Sequence, residues 1–398
     1  MRKAYALRDK VSEQERLAIE AYYYVRVTGE LEKAAEASEL WQKDYPKNAS
    51  SYGELAIIYC DLGNHERELE EDRGAVRLAP NYGAAYQNLA AGYINLNRLD
   101  EAEAVYKQAE ERKLVSAEGL LQDHYLLAFL EGDTTQMAQL AASAMGKPGT
   151  EDLLLATEAD TEAWHGKLKK ARALTQRAID SAKRNDAQET AATYLAAAAL
   201  REVEAGNREQ ARAAAHAALK LGPGYDVQKF TALAVARAGD TAEAQQLAAE
   251  LDKTFPLDTT VQKYWLPTIR AAVALQAKNP SRAVELLKPV SAIELGLNNN
   301  TGLNVALCPI YLRGEAYLMV HDGNLAAAEF QKFVDHYGLV VNFPLGALAR
   351  LGLARAYVLQ GDAVKARAKY QDFLTLWKGA DPDNPVYKQA RAEYAKLK

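Results

Sequence analysis

Apolar residues recur along most of this chain at helical spacing, and short polar breaks interrupt them at regular intervals. The pattern is clearest over residues 84–109, which read AAYQNLAAGYINLNRLDEAEAVYKQA. Small and large apolar residues fall three and four positions apart on both sides of the break NLNRLD. Because that spacing places side chains on one face of a helix, the segment predicts two amphipathic helices joined by a tight turn.

The breaks between predicted helices are periodic. A glycine or asparagine that ends a helical pattern occurs at Gly29, Gly63, Asn97, Gly132, Gly166, Gly206, Gly239, Asn279, Gly323 and Gly361. The early breaks lie about 34 residues apart, which is the period of a repeat made of two helices, and the later breaks are more widely spaced. The period predicts about ten helical hairpins along the chain.

Two other kinds of residue keep step with the breaks. Five positions past a break, a small side chain would let the second helix lie close against the first. This position holds Ala34, Ala102, Ala171, Ala211, Ala244, Ala328 and Ala366, with larger residues at Glu68 and Met137. Proline cannot continue a helix, so it marks the end of the second helix at Pro46, Pro80, Pro223 and Pro256.

The spacing and the residues that keep it resemble the tetratricopeptide repeat (TPR). The likeness is carried by Tyr86, Leu89, Ala90 and Tyr93 on a first helix and by Ala102, Tyr106 and Ala109 on the second. It implies an all-α fold, an α-solenoid or superhelix of about ten TPR-like hairpins, each burying its apolar face against its neighbours. We expect one continuous array over 1–398, with stronger repeats at 15–116 and 347–380, looser repeats at 118–300, irregular loops near 291–309 and 335–347, and a capping helix at 383–398.

Composition and charge narrow the classes of partner. The formal net charge is −5, which gives no electrostatic reason to expect nucleic acid. The longest apolar stretch, 191–200, is about half of a membrane span, so we expect no direct membrane insertion by this chain. Cys60 and Cys308 lie far apart without metal-ligand spacing, and no two histidines are four positions apart. We therefore expect no metal and no cofactor.

Enzymatic chemistry is not indicated by any local motif. The phosphate-loop, dinucleotide-binding, metalloprotease and nucleophile-elbow patterns are all absent from the sequence. We expect the densest acidic cluster, at Glu68, Glu70, Glu71 and Asp72, to be a solvated helix face. Glu162 and Glu202 fall at equivalent positions on the first helices of adjacent hairpins, which leaves open a helical-toroid hydrolase as a rival class.

A solenoid of this kind carries its binding surface on the concave side. We expect that surface to bind an extended peptide or a helix, with candidate contacts at Tyr23, Arg26, Ile57, Gln87, Asn88, Ile94, Gln122, Leu126 and Phe129. The alternative is that these residues pack between neighbouring first helices. A second candidate is an exposed contact loop at 335–347 with Val340, Val341 and Phe343, for which the alternative is a plug between two hairpins.

A closer resemblance concerns the segments 4–34, 313–336 and 351–385. They are similar to the C-terminal repeat region of bacterial serine/threonine protein kinases of the acidobacterial type, although the kinase signatures HRD and DFG are absent. The resemblance implies a sensory or interaction module of a larger signalling protein, and the start KAYALRDK looks like a cut inside a longer array. A stand-alone assembly or adaptor protein is the alternative. Partner identity, oligomeric state and location, in the bacterial cytoplasm or on the periplasmic side of a membrane-anchored parent, stay open.

Overall fold

The fold is all-α. The computed structural model describes residues 1–296 and 302–397, and within these ranges the regular structure is helical, with no strand. Successive helices pair as hairpins, and within each of two compact units the hairpins pack on one another, as α4 and α5 pack together and α5 then packs on α6. The chain is therefore an α-solenoid, as the sequence predicts. The part of the expected 291–309 loop at 297–301 lies outside the described residues.

Two compact units make up the chain. Unit 1 holds Met1–Leu120, Asp252–Trp265 and the described part of Ser291–Asn298. Its helices are α1 (Arg2–Ala6), α2 (Glu13–Tyr23), α3 (Leu31–Asp44), α4 (Ala49–Leu62), α5 (His65–Leu78), α6 (Gly83–Asn95) and α7 (Leu99–Glu111). A π-helical turn, Tyr24–Thr28, extends α2, and a second one covers Val261–Trp265.

Unit 2 holds Leu121–Leu251, Leu266–Val290 and the described part of Asn299–Lys398. Its helices are α8 (Leu121–Glu131), α9 (Thr134–Ala144), α10 (Glu151–Trp164), α11 (Leu168–Arg184), α12 (Gln188–Glu204), α13 (Arg208–Leu221), α14 (Tyr225–Ala238), α15 (Thr241–Thr254, whose last residues count with unit 1), α16 (Leu266–Gln276), α17 (Pro280–Leu287), α18 (Cys308–Met319), α19 (Gly323–Asp335), α20 (Tyr337–Val340), α21 (Leu345–Leu359), α22 (Ala363–Leu376) and α23 (Pro385–Ala395). None of the described helices is long and apolar enough to cross a membrane.

The predicted breaks are left-handed backbone turns. Positive φ angles occur at Gly29, Gly63, Asn97, Gly132, Gly166, Gly206, Gly239 and Gly361, as a residue that ends a helix requires. The prediction is wrong by one position at Asn279 and by two at Gly323, because the left-handed residues there are Lys278 and His321. Asn279 instead caps the start of α17, and its side chain accepts a hydrogen bond from the backbone N–H of Arg282.

The corrected breaks also correct the position of the small residue. Counting five positions from Lys278 and His321 gives Ala283 and Ala326, and both are fully buried. Ala328, the residue that the sequence pattern selects, is exposed. With this change, the fifth position is buried in all ten hairpin turns, including the two occupied by Glu68 and Met137.

The turn between α10 and α11 shows how closely unit 2 is packed. Gly166 has φ +73°, and a Cβ added there would lie 2.7 Å from Cε3 of Trp377 and 2.8 Å from Cβ of Ala380. Trp377 is buried, and its Nε1 donates a hydrogen bond of 2.8 Å to the carbonyl of Trp164. The Gly166 carbonyl accepts a bond of 3.1 Å from the backbone N–H of Asp381. Glycine is thus required here for both its backbone angle and its lack of a side chain.

We expect Gly166→Ala to destabilise the protein more than Gly361→Ala. Gly361 has nearly the same backbone angle, φ +75°, but an added Cβ meets nothing within 4 Å. Gly361→Ala should therefore lower the free energy of unfolding by only about 1 kcal/mol, the cost of a left-handed alanine. Gly166→Ala should lower it by a further ~1–3 kcal/mol, because the ring of Trp377 would have to move. Urea unfolding followed by circular dichroism measures both changes, and equal losses would contradict the packing argument.

Candidate interaction surface

The first helices of unit 1 carry six of the nine predicted concave-face residues. They differ widely in exposure: Arg26 and Ile57 are exposed, Tyr23, Gln87 and Asn88 are partly buried, and Ile94 is buried. Tyr23 is covered by the N-terminal helix, since its ring stacks on that of Tyr5 with 3.7 Å between centroids. The residues that unit 1 leaves accessible on this face are thus centred on Arg26 and Ile57.

Arg26 lies between an aromatic ring and a buried carboxylate. Its guanidinium carbon is 5.5 Å from the centroid of the Tyr22 ring, and its Nη2 is 3.5 Å from Oε2 of Glu54. Burial raises the pKa of Glu54 above its ordinary value, and the positive charge of Arg26 offsets only part of that rise. The other oxygen of Glu54, Oε1, is buried without a hydrogen-bond partner in the described structure. The result is a partly compensated negative charge next to an accessible cation.

The amide side chains occupy the next helix of this face, α6. The side chain of Gln87 donates a hydrogen bond of 3.4 Å to the carbonyl of Gly119, which belongs to the same unit. Tyr82, the residue that precedes α6, is 63% exposed and is the most exposed aromatic ring of unit 1. Arg26, Ile57, Tyr82, Gln87 and Asn88 therefore present a cation, two apolar groups and two amides, and we call these five residues the inner face of unit 1.

The other three predicted residues lie on α8 in unit 2 and are engaged within that unit. The side chain of Gln122 donates hydrogen bonds to Thr157 Oγ1 (3.0 Å) and to the carbonyl of Gly302 (2.5 Å). Leu126 and Phe129 pack against a small apolar cluster around Tyr125. The ring of Phe129 also meets that of Trp164 edge to face, with 5.4 Å between centroids. These three residues therefore fit the alternative to a binding role, which is packing between neighbouring helices.

The exposed contact loop expected at 335–347 is corrected by the structure. Val340, Val341 and Phe343 are all at most 5% exposed, so they offer no apolar surface to a partner. Asn342 anchors the loop, because its side chain donates hydrogen bonds to the carbonyl of Thr157 (2.8 Å) and to Thr161 Oγ1 (3.0 Å). The loop is the interior plug of unit 2, and it holds Val341 at φ +46°, a strained angle for a β-branched residue.

The acidic cluster on α5 is also different from the expectation. Glu70 is exposed, but Glu68, Glu71 and Asp72 are buried. Burial, and then repulsion from Glu68 and Glu71, raise the pKa of Asp72 to about 8. A solvated face is therefore the wrong description of this helix. One feature of the sequence indicates that Glu68 is buried, because it occupies the position at which most hairpins have alanine.

The two glutamates of the hydrolase alternative each have their own cations. Glu162 binds Lys170 (2.7 Å) and Lys167 (3.2 Å), and Glu202 forms a bidentate pair with Arg172 at 2.6 and 2.7 Å. Burial acts to raise the pKa of Glu162, yet its bonds and charge interactions with the two lysines bring it below the ordinary value. A general acid needs the opposite shift.

Comparison with known proteins finds one family model that matches two stretches of the chain. A model of the tetratricopeptide repeat matches residues 196–258 and 311–385. The TPR resemblance predicted from the sequence is thus confirmed for these stretches. No curated protein matches the chain.

The solved structures that match this chain have low sequence identity to it. Yeast Tom70 is 14% identical, with a TM-score of 0.39 over 100% of this chain and 96% of that one. The TPR domain of P58(IPK) is 15% identical, with a TM-score of 0.28 over 97% of each chain. A tetratricopeptide repeat protein from Parabacteroides merdae is 14% identical, with a TM-score of 0.28 over 86% of this chain and 98% of that one.

We expect Glu54→Gln to stabilise the protein near pH 7. Folding raises the pKa of Glu54 above its value in the unfolded chain, 4.5. The contribution of this group to stability is therefore complete below pH 4.5, and it is lost as the pH rises towards the pKa of the folded state. A neutral glutamine avoids that loss, so the free energy of unfolding should rise by roughly 1 kcal/mol, the scale of relieving one incompletely paired buried group. Urea unfolding at pH 7 and pH 4 measures the effect, which should vanish at pH 4.

Glu13→Gln is the matched control for this prediction. Glu13 lies in the same unit and pairs with Arg16 at 3.6 Å, but its side chain is 65% exposed. Removing such a pair changes stability by less than ~1 kcal/mol. A Glu54→Gln variant that is less stable than the parent at pH 7, or a gain that persists at pH 4, would contradict the argument from burial.

Proposed function

We propose that this chain is a non-enzymatic repeat scaffold that binds a segment of a protein partner on the inner face of unit 1. The observation that carries the proposal is the accessible pair Arg26 and Ile57. Ile57 lies one helical turn beyond Glu54 on α4, and Arg26 contacts Glu54 from the end of α2. A guanidinium and an aliphatic side chain are thus accessible on two successive first helices, and the proposal is that the hairpins form their binding surface on this side.

The chemistry of this face suits a particular kind of ligand. An apolar side chain of the partner could cover Ile57 and Tyr82, which are 38% and 63% exposed. A carboxylate of the partner could pair with Arg26, since 55% of that side chain is accessible. Amides such as Asn88 can bond to the backbone of an extended peptide. We infer an extended segment with an apolar anchor next to an acidic residue.

The finer proposal is that the scaffold serves as the sensory or interaction module of a larger signalling protein, such as a bacterial serine/threonine kinase. It rests on the likeness of the segments 4–34, 313–336 and 351–385 to the repeat regions of such kinases. The alternative is a free-standing assembly or adaptor protein. An antibody raised against the chain distinguishes them in native cells, because a free-standing protein gives a band near 43.7 kDa and a kinase gives a much larger one.

We expect Arg26→Ala combined with Ile57→Ala to weaken peptide binding at least tenfold. The probe is a random peptide phage library selected on the purified protein, followed by calorimetry on the most enriched peptide. The double variant removes one charged contact and one apolar contact, which together account for about 1.4 kcal/mol or more of binding free energy. Circular dichroism should show unchanged helicity, because neither side chain is buried, while the loss of the Arg26–Glu54 pair should lower the free energy of unfolding without unfolding the helices.

Arg282→Ala combined with Val364→Ala is the matched control. Arg282 and Val364 are exposed, with Val364 78% accessible, and both lie on second helices of unit 2. This control should bind the selected peptide as the parent does. Failure to enrich any sequence motif, or equal affinity of the two double variants, would contradict the proposed surface.

A further inference from the structure

Three side chains with metal-binding atoms meet at the hairpin turn between α4 and α5. One ligand atom from each of Cys60, His65 and Glu68 can be chosen so that all three lie within 4.8 Å of one another. Cys60 comes from the end of α4, His65 is the first residue of α5, and Glu68 follows one turn later on the same face. A thiol, an imidazole and a carboxylate are the donor types of zinc sites.

The surroundings of the imidazole are those of a metal ligand. Nε2 of His65 lies 2.9 Å from the carbonyl of Leu295, which can only accept, so this nitrogen carries the proton. The other nitrogen, Nδ1, points into the cluster and shares a proton with Oε2 of Glu68, 2.5 Å away, and it can bind a metal ion once that proton is released. A backbone carbonyl that orients the imidazole in this way is the usual outer partner of a metal-bound histidine.

The carboxylate is oriented in the same manner. The side-chain amide of Asn95 on α6 donates a hydrogen bond of 2.9 Å to Oε1 of Glu68. Glu68 also occupies the fifth position past the break, where most hairpins of the chain place alanine. A buried carboxylate at a position of close helix contact breaks the packing pattern, and such departures mark functional positions more often than errors of packing.

An independent observation is the state of Asp72, one turn beyond Glu68 on the same helix. Asp72 is 1% exposed, and neither of its oxygens has a hydrogen-bond partner in the described structure. It lies beside the cluster, since Oδ2 of Asp72 and Oε1 of Glu68 both border the space at Gly92, where an added Cβ would lie 3.2 Å from the first oxygen and 3.7 Å from the second. A buried carboxylate without hydrogen-bond partners is costly to ionise, and a cation bound next to it would lower that cost.

We propose that Cys60 Sγ, His65 Nδ1 and the Glu68 carboxylate bind a divalent transition metal ion, zinc by preference, with the Asp72 carboxylate as the remaining anionic neighbour. Sulfur and nitrogen donors disfavour magnesium and calcium. Binding releases two protons to solvent, the thiol proton of Cys60 and the proton shared by His65 Nδ1 and Glu68 Oε2, and it replaces the His65–Glu68 hydrogen bond with two bonds to the metal. Because the donors are largely buried, the site is structural, and it ties Leu295 to the second hairpin through His65.

The first test uses Co²⁺ as the probe, with the full chain stripped of metal under reducing conditions. We expect one equivalent of Co²⁺ to give a thiolate-to-cobalt charge-transfer band, which one equivalent of Zn²⁺ then removes. Cys60→Ser should abolish the band and weaken Zn²⁺ binding by more than ~100-fold. That loss is larger than the loss expected when a residue that only supports a metal ligand is replaced. Cys308→Ser is the matched control and should keep the band. Absence of the band in the parent, or its survival in Cys60→Ser, would overturn the proposal.

A second measurement needs no variant and so does not depend on the folding of Cys60→Ser. The parent protein is alkylated with iodoacetamide with and without one equivalent of Zn²⁺, and the modified cysteines are counted by mass spectrometry. Zinc should slow the modification of Cys60 at least tenfold and leave that of Cys308 unchanged. Equal rates at Cys60 with and without zinc would show that the cluster is a proton-sharing polar network and would overturn the metal site.

His65→Gln and His216→Gln extend the test to the imidazole. His216 is a histidine of unit 2 that pairs with Glu243 on the surface at 2.9 Å. We expect Zn²⁺ to raise the melting temperature of the parent and of His216→Gln but not that of His65→Gln. An equal rise in all three proteins would place zinc elsewhere and contradict the proposed ligands.

Discussion

The architecture depends on close approach between the two helices of each hairpin at the turn that joins them. The chain reverses through one left-handed residue, and five positions later a buried side chain faces the preceding helix. Where that side chain is alanine, as at Ala34, Ala102 and Ala366, it is fully excluded from solvent. Larger residues at this point must bring their own compensation, because the backbones leave little room between the helices. Every other feature of the two units is arranged around this spacing.

The same constraint explains why the repeat could be predicted from sequence and where the prediction failed. Glycine is favoured at a left-handed turn, and alanine is favoured at close contacts, so both leave a periodic trace. Asparagine, however, is favoured both at the turn and at the cap that begins the next helix. Asn279 is a cap, and the turn before it is made by Lys278, which no propensity would select. Gly323 is a glycine for another reason. A Cβ there would lie 2.6 Å from the carbonyl of Ala356, so this position needs a residue without a side chain and not a left-handed turn.

Surface and interior were harder to tell apart than helix and turn. Local spacing shows which face of α5 is polar, but it does not show that another hairpin and the distant Leu295 cover part of that face. Gln122 and Phe129 are candidates for the concave surface from their positions on a first helix. Their partners, Gly302 and Trp164, come from elsewhere in unit 2. Arg26 and Ile57, in contrast, are exposed.

The composition of unit 1 bears on how the protein is made. The carbonyl of Gly29 accepts a hydrogen bond of 2.8 Å from the backbone N–H of Thr259, and His65 bonds to Leu295. These partners leave the ribosome long after the hairpins they complete. Each of these partners lies 230 residues further along the chain, and synthesis at roughly 5–20 residues per second needs about 10–50 seconds for that distance. During that interval the turn at Gly29 and the buried histidine at the second turn are open to solvent, so the first hairpins of the nascent chain wait, incomplete, for a segment that has not yet been translated.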